Sequence, residues 1–323
     1  MNVLKRMWRL PRGRIGICIT VAVVLVAVFA PLLAPYNPYD IDQRDARRMR
    51  PGRGHWLGTD AFGNDILSKL IYGARVSLIV GLCTGLAVTV VGTFMGILAG
   101  YTGGWVDTVI MRACDVIFVV PGLPLMILLA NYLGTKFYMI IVIFTVLGWA
   151  GMARMIRSQV LSVRSRDFVA ASRSIGASKW HIMAEHILVS VSPLMIVNGV
   201  LNAAGVMVAE AGLSFLGFGD PTAISWGKML FEAQSGHALL FGAWWWVVPP
   251  GLAIFVTVFG FMMAGYALEE VLNPHIPRRQ AFSAMRRQMR KFAAGRGTCA
   301  TAAVAGGAAA GTGGSRQGGV TRG

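Results

Sequence analysis

The sequence predicts an all-α fold, a polytopic membrane helix bundle of roughly six transmembrane helices with both termini cytoplasmic. Three observations predict it. Hydrophobic residues make up 55% of the chain and charged residues 14%, with mean hydropathy +0.60, whereas a soluble domain carries about 25% charged residues. The apolar residues also fall in blocks close to the ~20 residues that a spanning helix needs. Finally, lysines and arginines gather between particular blocks, as they do in cytoplasmic loops.

In chain order, the predicted spans are Ile15–Leu33, Val76–Ala99, Ile110–Leu133, Phe137–Ile156, Ile187–Val208 and Trp245–Val271. Each must pair its backbone groups internally, which selects helices, and the tracts are too long and uniform for barrel strands. The first span follows Lys5, Arg6, Arg9, Arg12 and Arg14 but ends in PLLAPYNP, a poor cleavage site. It is also longer than a signal-peptide core of about 7–15 residues, so it reads as a retained anchor. In the third span, Pro121 and Pro124 predict a bend. Trp244, Trp245 and Trp246 predict an aromatic belt at the start of the last.

Placing the N-terminus inside puts 21 of the 30 lysines and arginines on the cytoplasmic side. One loop opposes this: Arg44, Arg47, Arg48, Arg50 and Arg53 then lie outside, with Asp40, Asp42 and Asp45 nearby. The net charge of +16 is explained by basic flanks on apolar spans, and no nucleic-acid motif accompanies it. Cys18, Cys83, Cys114 and Cys299 have no metal or disulfide spacing, and the first three read as small buried apolar residues.

Catalytic patterns are missing from the sequence. It contains no GxxxxGK[ST], GxSxG or HExxH, so no cofactor, metal or nucleotide is expected on this chain. His55, His181, His186, His237 and His275 are scattered and read as hydrogen-bonding or interfacial residues. Inside the apolar tracts, Arg112 and Asp115 are spaced to pair on one helix face, either structurally or along a pathway. Glu210 ends a span, at a pathway mouth or hydrated at the interface; the second reading is preferred.

The most informative stretch is polar and basic, lies near 160–186, and continues to Pro193. Asp167 can cap a short helix, Gly176 can end it in a left-handed conformation, and Ser178 can cap the next. The result is a small helical knob between two spans, suited either to docking on a partner or to an ordinary cytoplasmic loop.

Asp167–Pro193 resembles the EAA loop in permease subunits of binding-protein-dependent ABC importers. HWLGTDAFGNDILSKLIYGARVSL, DTVIMRACDVIFVVPGLPLMILLA and EAGLSFLGFGDPTAISWGKML are similar to the dipeptide, oligopeptide and nickel branch. The likeness runs from roughly Ala34 to Pro274. It implies an ATPase-coupling loop in which Ala171 and Gly176 match the family alanine and glycine, and His186 and Pro193 match later positions. Ala170 stands where the family has glutamate, Ser172 where it has alanine, and Val189 where it has proline. Asn64 interrupts GRD, Met262–Tyr266 replaces the polar NLLGD, and Glu269 replaces an arginine.

The implied partners are a second homologous permease, two ATP-binding subunits, an external solute-binding protein and membrane lipid, with no nucleic acid. The implied location is the bacterial inner membrane. Peptides lead as solute, with nickel or another small solute as the alternative. A secondary transporter or channel is the rival from another class, but the sequence shows no internal repeat and few candidate coupling-ion acids for it. The permease domain is expected over 1–275, followed over 276–323 by a basic segment and a flexible Gly/Ala-rich tail.

Overall fold

The computed structural model describes residues 3–39 and 47–272, which are helical throughout their regular structure. The basic segment and Gly/Ala-rich tail expected over 276–323 lie outside the described residues. Helix α1 (Val3–Arg9) leads into α2 (Pro11–Val28) and a single turn, α3 (Ala30–Leu33). A loop then enters α4 (Ile66–Thr102), which Asp65 caps by accepting from the Ser68 amide at 2.8 Å. Helix α4 is 37 residues long, about 55 Å against a bilayer core of about 30 Å. It starts ten residues before the predicted span because Ser68 and Lys69, polar in sequence, are buried and partnered.

The third predicted span is not one helix. Helices α5 (Gly104–Val119) and α6 (Gly122–Leu133) meet at 92°. The residue before a proline is forced out of the helical region, and Val120, before Pro121, is extended at φ −83°, ψ 130°. Pro124 lies in the first turn of α6, where a proline costs little, so Pro121 makes the break. Helices α7 (Phe137–Val163) and α8 (Asp167–Ser174) follow. A helical run from Lys179 to Phe218 comprises α9 (Lys179–His181), a π-turn (Ile182–Ile187), α10 (Leu188–Leu213) and a second π-turn (Ser214–Phe218). Pro193 deprives the Val189 carbonyl of its helical donor, and the Ser192 hydroxyl donates to that oxygen at 2.9 Å. Helices α11 (Trp226–Ser235) and α12 (Trp244–Leu272) complete the described chain.

Packing centres on α4, which touches α7 and α10 along most of its length. Glycines make the approach possible. A Cβ at Gly85 would lie 2.8 Å from Ala203 Cα on α10, and one at Gly96 only 2.6 Å from the Ala153 carbonyl on α7. Such small-residue contacts suit helices in lipid, where dispersion and backbone proximity replace hydrophobic expulsion. Two expectations about side chains fail. Cys18 and Cys83 are exposed on their helices, and only Cys114 of the described cysteines is buried. Trp245 and Trp246 are buried among α11 and loop residues, leaving Trp244 alone exposed as a belt residue.

Gly96→Leu should wedge α4 from α7 and cost about 1–3 kcal/mol, read as a lower melting midpoint in detergent. Gly205→Leu, on an open face of α10, should leave the midpoint in place. Equal melting of the two variants would refute the close approach.

Candidate functional site

The segment near 160–186 folds as a knob at one end of α4. Val169 is buried against Tyr101, Ile182 and Ile187, which anchors α8 to the α4 terminus and the first π-turn. Arg164 donates to the Gly100 carbonyl at 3.0 Å, meeting an acceptor in the last turn of α4. Arg173 lies 5.7 Å over the Tyr101 ring. Ser172 Oγ donates to the Phe168 carbonyl and lies 2.9 Å from His186 Nε2, tying α8 to the π-turn. Thus Ser172 and His186 buttress the knob from behind.

Ala170, Ala171 and Gly176 are exposed on it. Gly176 has φ +82° with open space around it, as expected for a helix-ending glycine. Ser178 caps α9 by accepting from the His181 amide. Asp167 is not the cap: Arg166 occupies that position without a side-chain bond, and Asp167 sits in the first turn, where its charge favours the helix dipole. Pro193 lies inside α10 and is not part of the knob. Sequence reasoning missed Phe168, Ile175 and Trp180, all exposed apolar side chains on this polar segment. Large apolar residues within so basic a loop were the available signal.

Arg112 and Asp115 pair as their spacing predicts, but a further arginine joins them and Glu210 is placed differently from expectation. Asp115 lies 3.6 Å from Arg112 but 2.7 Å from Arg154 on α7, so its closer partner is on another helix. Arg154 also stacks 4.6 Å from the Phe118 ring. About two turns earlier on α5, Asp107 is held by Arg157 through two nitrogens. Glu210 is not hydrated at an interface. It is 2% exposed, accepts from Ser214 Oγ at 2.7 Å, and has an Oε2 without a hydrogen-bond partner among the described residues. Helix α11 covers it: a Cβ at Gly227 would lie 2.7 Å from Ala211.

A second polar site lies at the opposite end of α4. Lys69 Nζ donates to Asp60 at 2.8 Å and to Glu232 at 2.6 Å, joining the loop before α4 to α11. Asp60 also accepts from the amides of Phe62 and Asn64, and His55 Nδ1 lies 3.0 Å from Asp65. None of Lys69, Asp60 or Glu232 stood out in the sequence as a site residue. Beside them, burial pushes the Lys228 ammonium below its ordinary range; Glu232 opposes this and Lys69 adds to it. Burial alone would raise the Asp220 carboxyl, but the Thr222 hydroxyl and the amides of Thr222, Phe137 and Ala223 hold it below the usual carboxylate range. Residues 69 and 100 are separated by about 46 Å of helix, so the two polar sites occupy opposite ends of the bundle.

Residues 92–278 match the family model of a binding-protein-dependent transport system inner membrane component. Residues 2–51 match the N-terminal TM domain of oligopeptide transport permease C. The chain is 34% identical over 260 residues to a putative peptide permease protein of Brucella suis, covering 80% of this chain and 85% of the relative. It is 34% identical over 264 residues to the dipeptide transport system permease protein of Bacillus subtilis, covering 81% and 82%. The glutathione transport system permease protein of Pectobacterium atrosepticum is 34% identical over 259 residues, covering 78% and 83%.

Removing the Lys69 ammonium leaves two carboxylates facing each other without their cation. Lys69→Met should therefore destabilise the protein by about 3–5 kcal/mol. Adding Asp60→Asn and Glu232→Gln should restore part of that loss in thermal denaturation. A single variant as stable as wild type would show that the cluster contributes nothing to holding α11.

Proposed function

The chain belongs to the family of binding-protein-dependent transport system inner membrane components, and from that premise we propose that its knob is the contact through which a partner ATPase drives import. The protein is a multi-pass inner-membrane permease subunit of an ATP-driven importer. Its solute class is di- or oligopeptides, a reading supported by the peptide, dipeptide and glutathione permeases among its relatives. ATP hydrolysis belongs to partner subunits, and this chain is not an enzyme. The assembly comprises a second homologous permease, two ATP-binding subunits and an external solute-binding protein.

The observation that carries the coupling role is the exposed ridge of Ala170, Ala171, Ile175, Gly176 and Trp180 on a firmly backed two-helix turn. Small residues and a left-handed glycine allow close backbone approach to a partner. Motion of the knob bears directly on the end of α4 through Val169, Arg164 and Arg173. A conformational change so driven requires that ATP bind the two states of the assembly unequally. The knob then faces the cytoplasm, and the Lys69 end of α4 faces outward.

Gly176→Leu should cost about 1–2 kcal/mol through its left-handed backbone and obstruct the partner. The variant should insert normally while ATPase co-purification and solute-stimulated hydrolysis fall sharply. Ala170→Glu should be tolerated. Wild-type coupling in Gly176→Leu together with lost coupling in Ala170→Glu would overturn the docking geometry. Orientation has its own check: on a background lacking native cysteines, an impermeant thiol reagent should label cysteines placed near Gly54 and near Gly236 in intact cells and spare one at Ser178. Labelling of Ser178 from outside would reverse the topology.

A further inference from the structure

Between α4 and the helical run that begins at Lys179 lies a groove of about 410 Å³. Phe94 and Leu98 of α4 form one wall, Met183, Leu188 and Met195 form the other, and Trp180 stands at the knob end. No charged side chain lines it. The α4 wall runs from residue 90 to residue 98, about 12 Å of helix. One leaflet of hydrocarbon is about 15 Å deep, half of a bilayer core of ~30 Å. A helix about 10–12 Å across would fill about 900 Å³ or more over the same length. The groove is therefore too slim to seat a partner helix and suits a single flexible chain.

Cations flank the knob end of the groove from both walls. Arg173 lies 5.7 Å over the ring of Tyr101, one turn beyond Leu98 on α4. Lys179 precedes Met183 by four residues, one turn away on the other wall. Both are exposed, and neither is paired with a carboxylate among the described residues. The acid closest to them on the π-turn, Glu185, faces His181 at 3.6 Å. Trp180 is 64% exposed and has the amphipathic ring favoured at the headgroup level. We propose that an anionic phospholipid of the cytoplasmic leaflet occupies this site, with one acyl chain in the groove and its phosphate between Arg173 and Lys179. Basic pockets between helices on the cytoplasmic side select anionic headgroups, and here the charges add to an apolar slot. The methionines suit such a lining, because their flexible side chains follow an irregular occupant. The lipid then touches α4 and the π-turn together, at the base of the knob. Its assignment to the cytoplasmic leaflet rests on the orientation of the knob proposed above; its chemistry does not.

The test uses the assembled transporter in nanodiscs of phosphatidylcholine. A small share of phosphatidylglycerol carries a photoreactive diazirine in one acyl chain, and adducts are mapped by peptide mass spectrometry after illumination. Wild type should carry adducts at Phe94, Leu98 and Met195, about tenfold above those left by the same diazirine chain on phosphatidylcholine. Ala184→Trp, which fills the groove from its own wall, should abolish them. Arg173→Gln with Lys179→Gln should bring the phosphatidylglycerol signal down to the phosphatidylcholine level, while adducts elsewhere on the chain are unchanged. Equal labelling of the wild-type groove by the two probes overturns the proposal, as does a groove without adducts. Loss of the second permease from Ala184→Trp also overturns it, because the groove is then a contact between subunits. Both leaflets of the nanodisc hold the probe, so the outcome stands whichever way the chain inserts. A failure of the orientation reading shows instead in the thiol labelling of intact cells.

Discussion

Everything in this bundle hangs on how closely α7 and α10 approach the backbone of α4. The approach is made at glycines, where a single added carbon would collide with Ala203 Cα or the Ala153 carbonyl. In lipid, apolar side chains gain nothing by leaving one apolar medium for another, so contact area at short range must hold the helices. The glycines therefore do work that leucines do in a soluble core. They also make α4 a common axis: what moves one of its ends is mechanically continuous with the other, because its neighbours are in backbone contact along the way.

Polar chemistry is confined largely to the two ends of that axis and to the α5–α7 seam. At one end, Arg164, Arg173 and the Ser172–His186 contact hold the knob to the terminal turns of α4. At the other, a single lysine satisfies two carboxylates from separate segments. Along the seam, Asp107 and Asp115 each meet an arginine of α7. Pairing is what makes charge tolerable in such surroundings, since an isolated ion in hydrocarbon is costly. Glu210 departs from this pattern, with one oxygen served by Ser214 and the other without a hydrogen-bond partner among the described residues.

Legibility in the sequence tracks the range of the interaction. Gly176 and Ser178 were readable because turn and cap chemistry spans three or four residues, and both do what their local context predicts. Asp167 misled for an instructive reason: a good capping residue can equally occupy the first turn, and φ/ψ rather than residue type decides. Pro121 signalled a bend, but not that Val120 would turn the chain by 92°. Lys69 was invisible as a site because its second partner lies 163 positions away. Glu210 and Trp246 were misread together, since nothing local reveals that α11 folds back over the end of α10 and buries both.

That fold-back explains why the run from the knob to α11 is not a plain α-helix. Helix α10 is bounded by a π-turn at each end, and each inserts a residue beyond the regular count. The first rotates His186 toward Ser172 while keeping Ile182 and Ile187 on the α4 face. The second ends at Gly217, φ +91°, where the chain leaves the helix and turns toward α11. A regular helix through either point would carry its buried residues off the α4 face within a turn. The two irregularities therefore reconcile one straight glycine-lined contact in the middle with two differently oriented attachments at its ends. They lie next to the knob and next to Glu210, the positions at which a bundle held by close backbone contact has the least freedom to adjust in any other way.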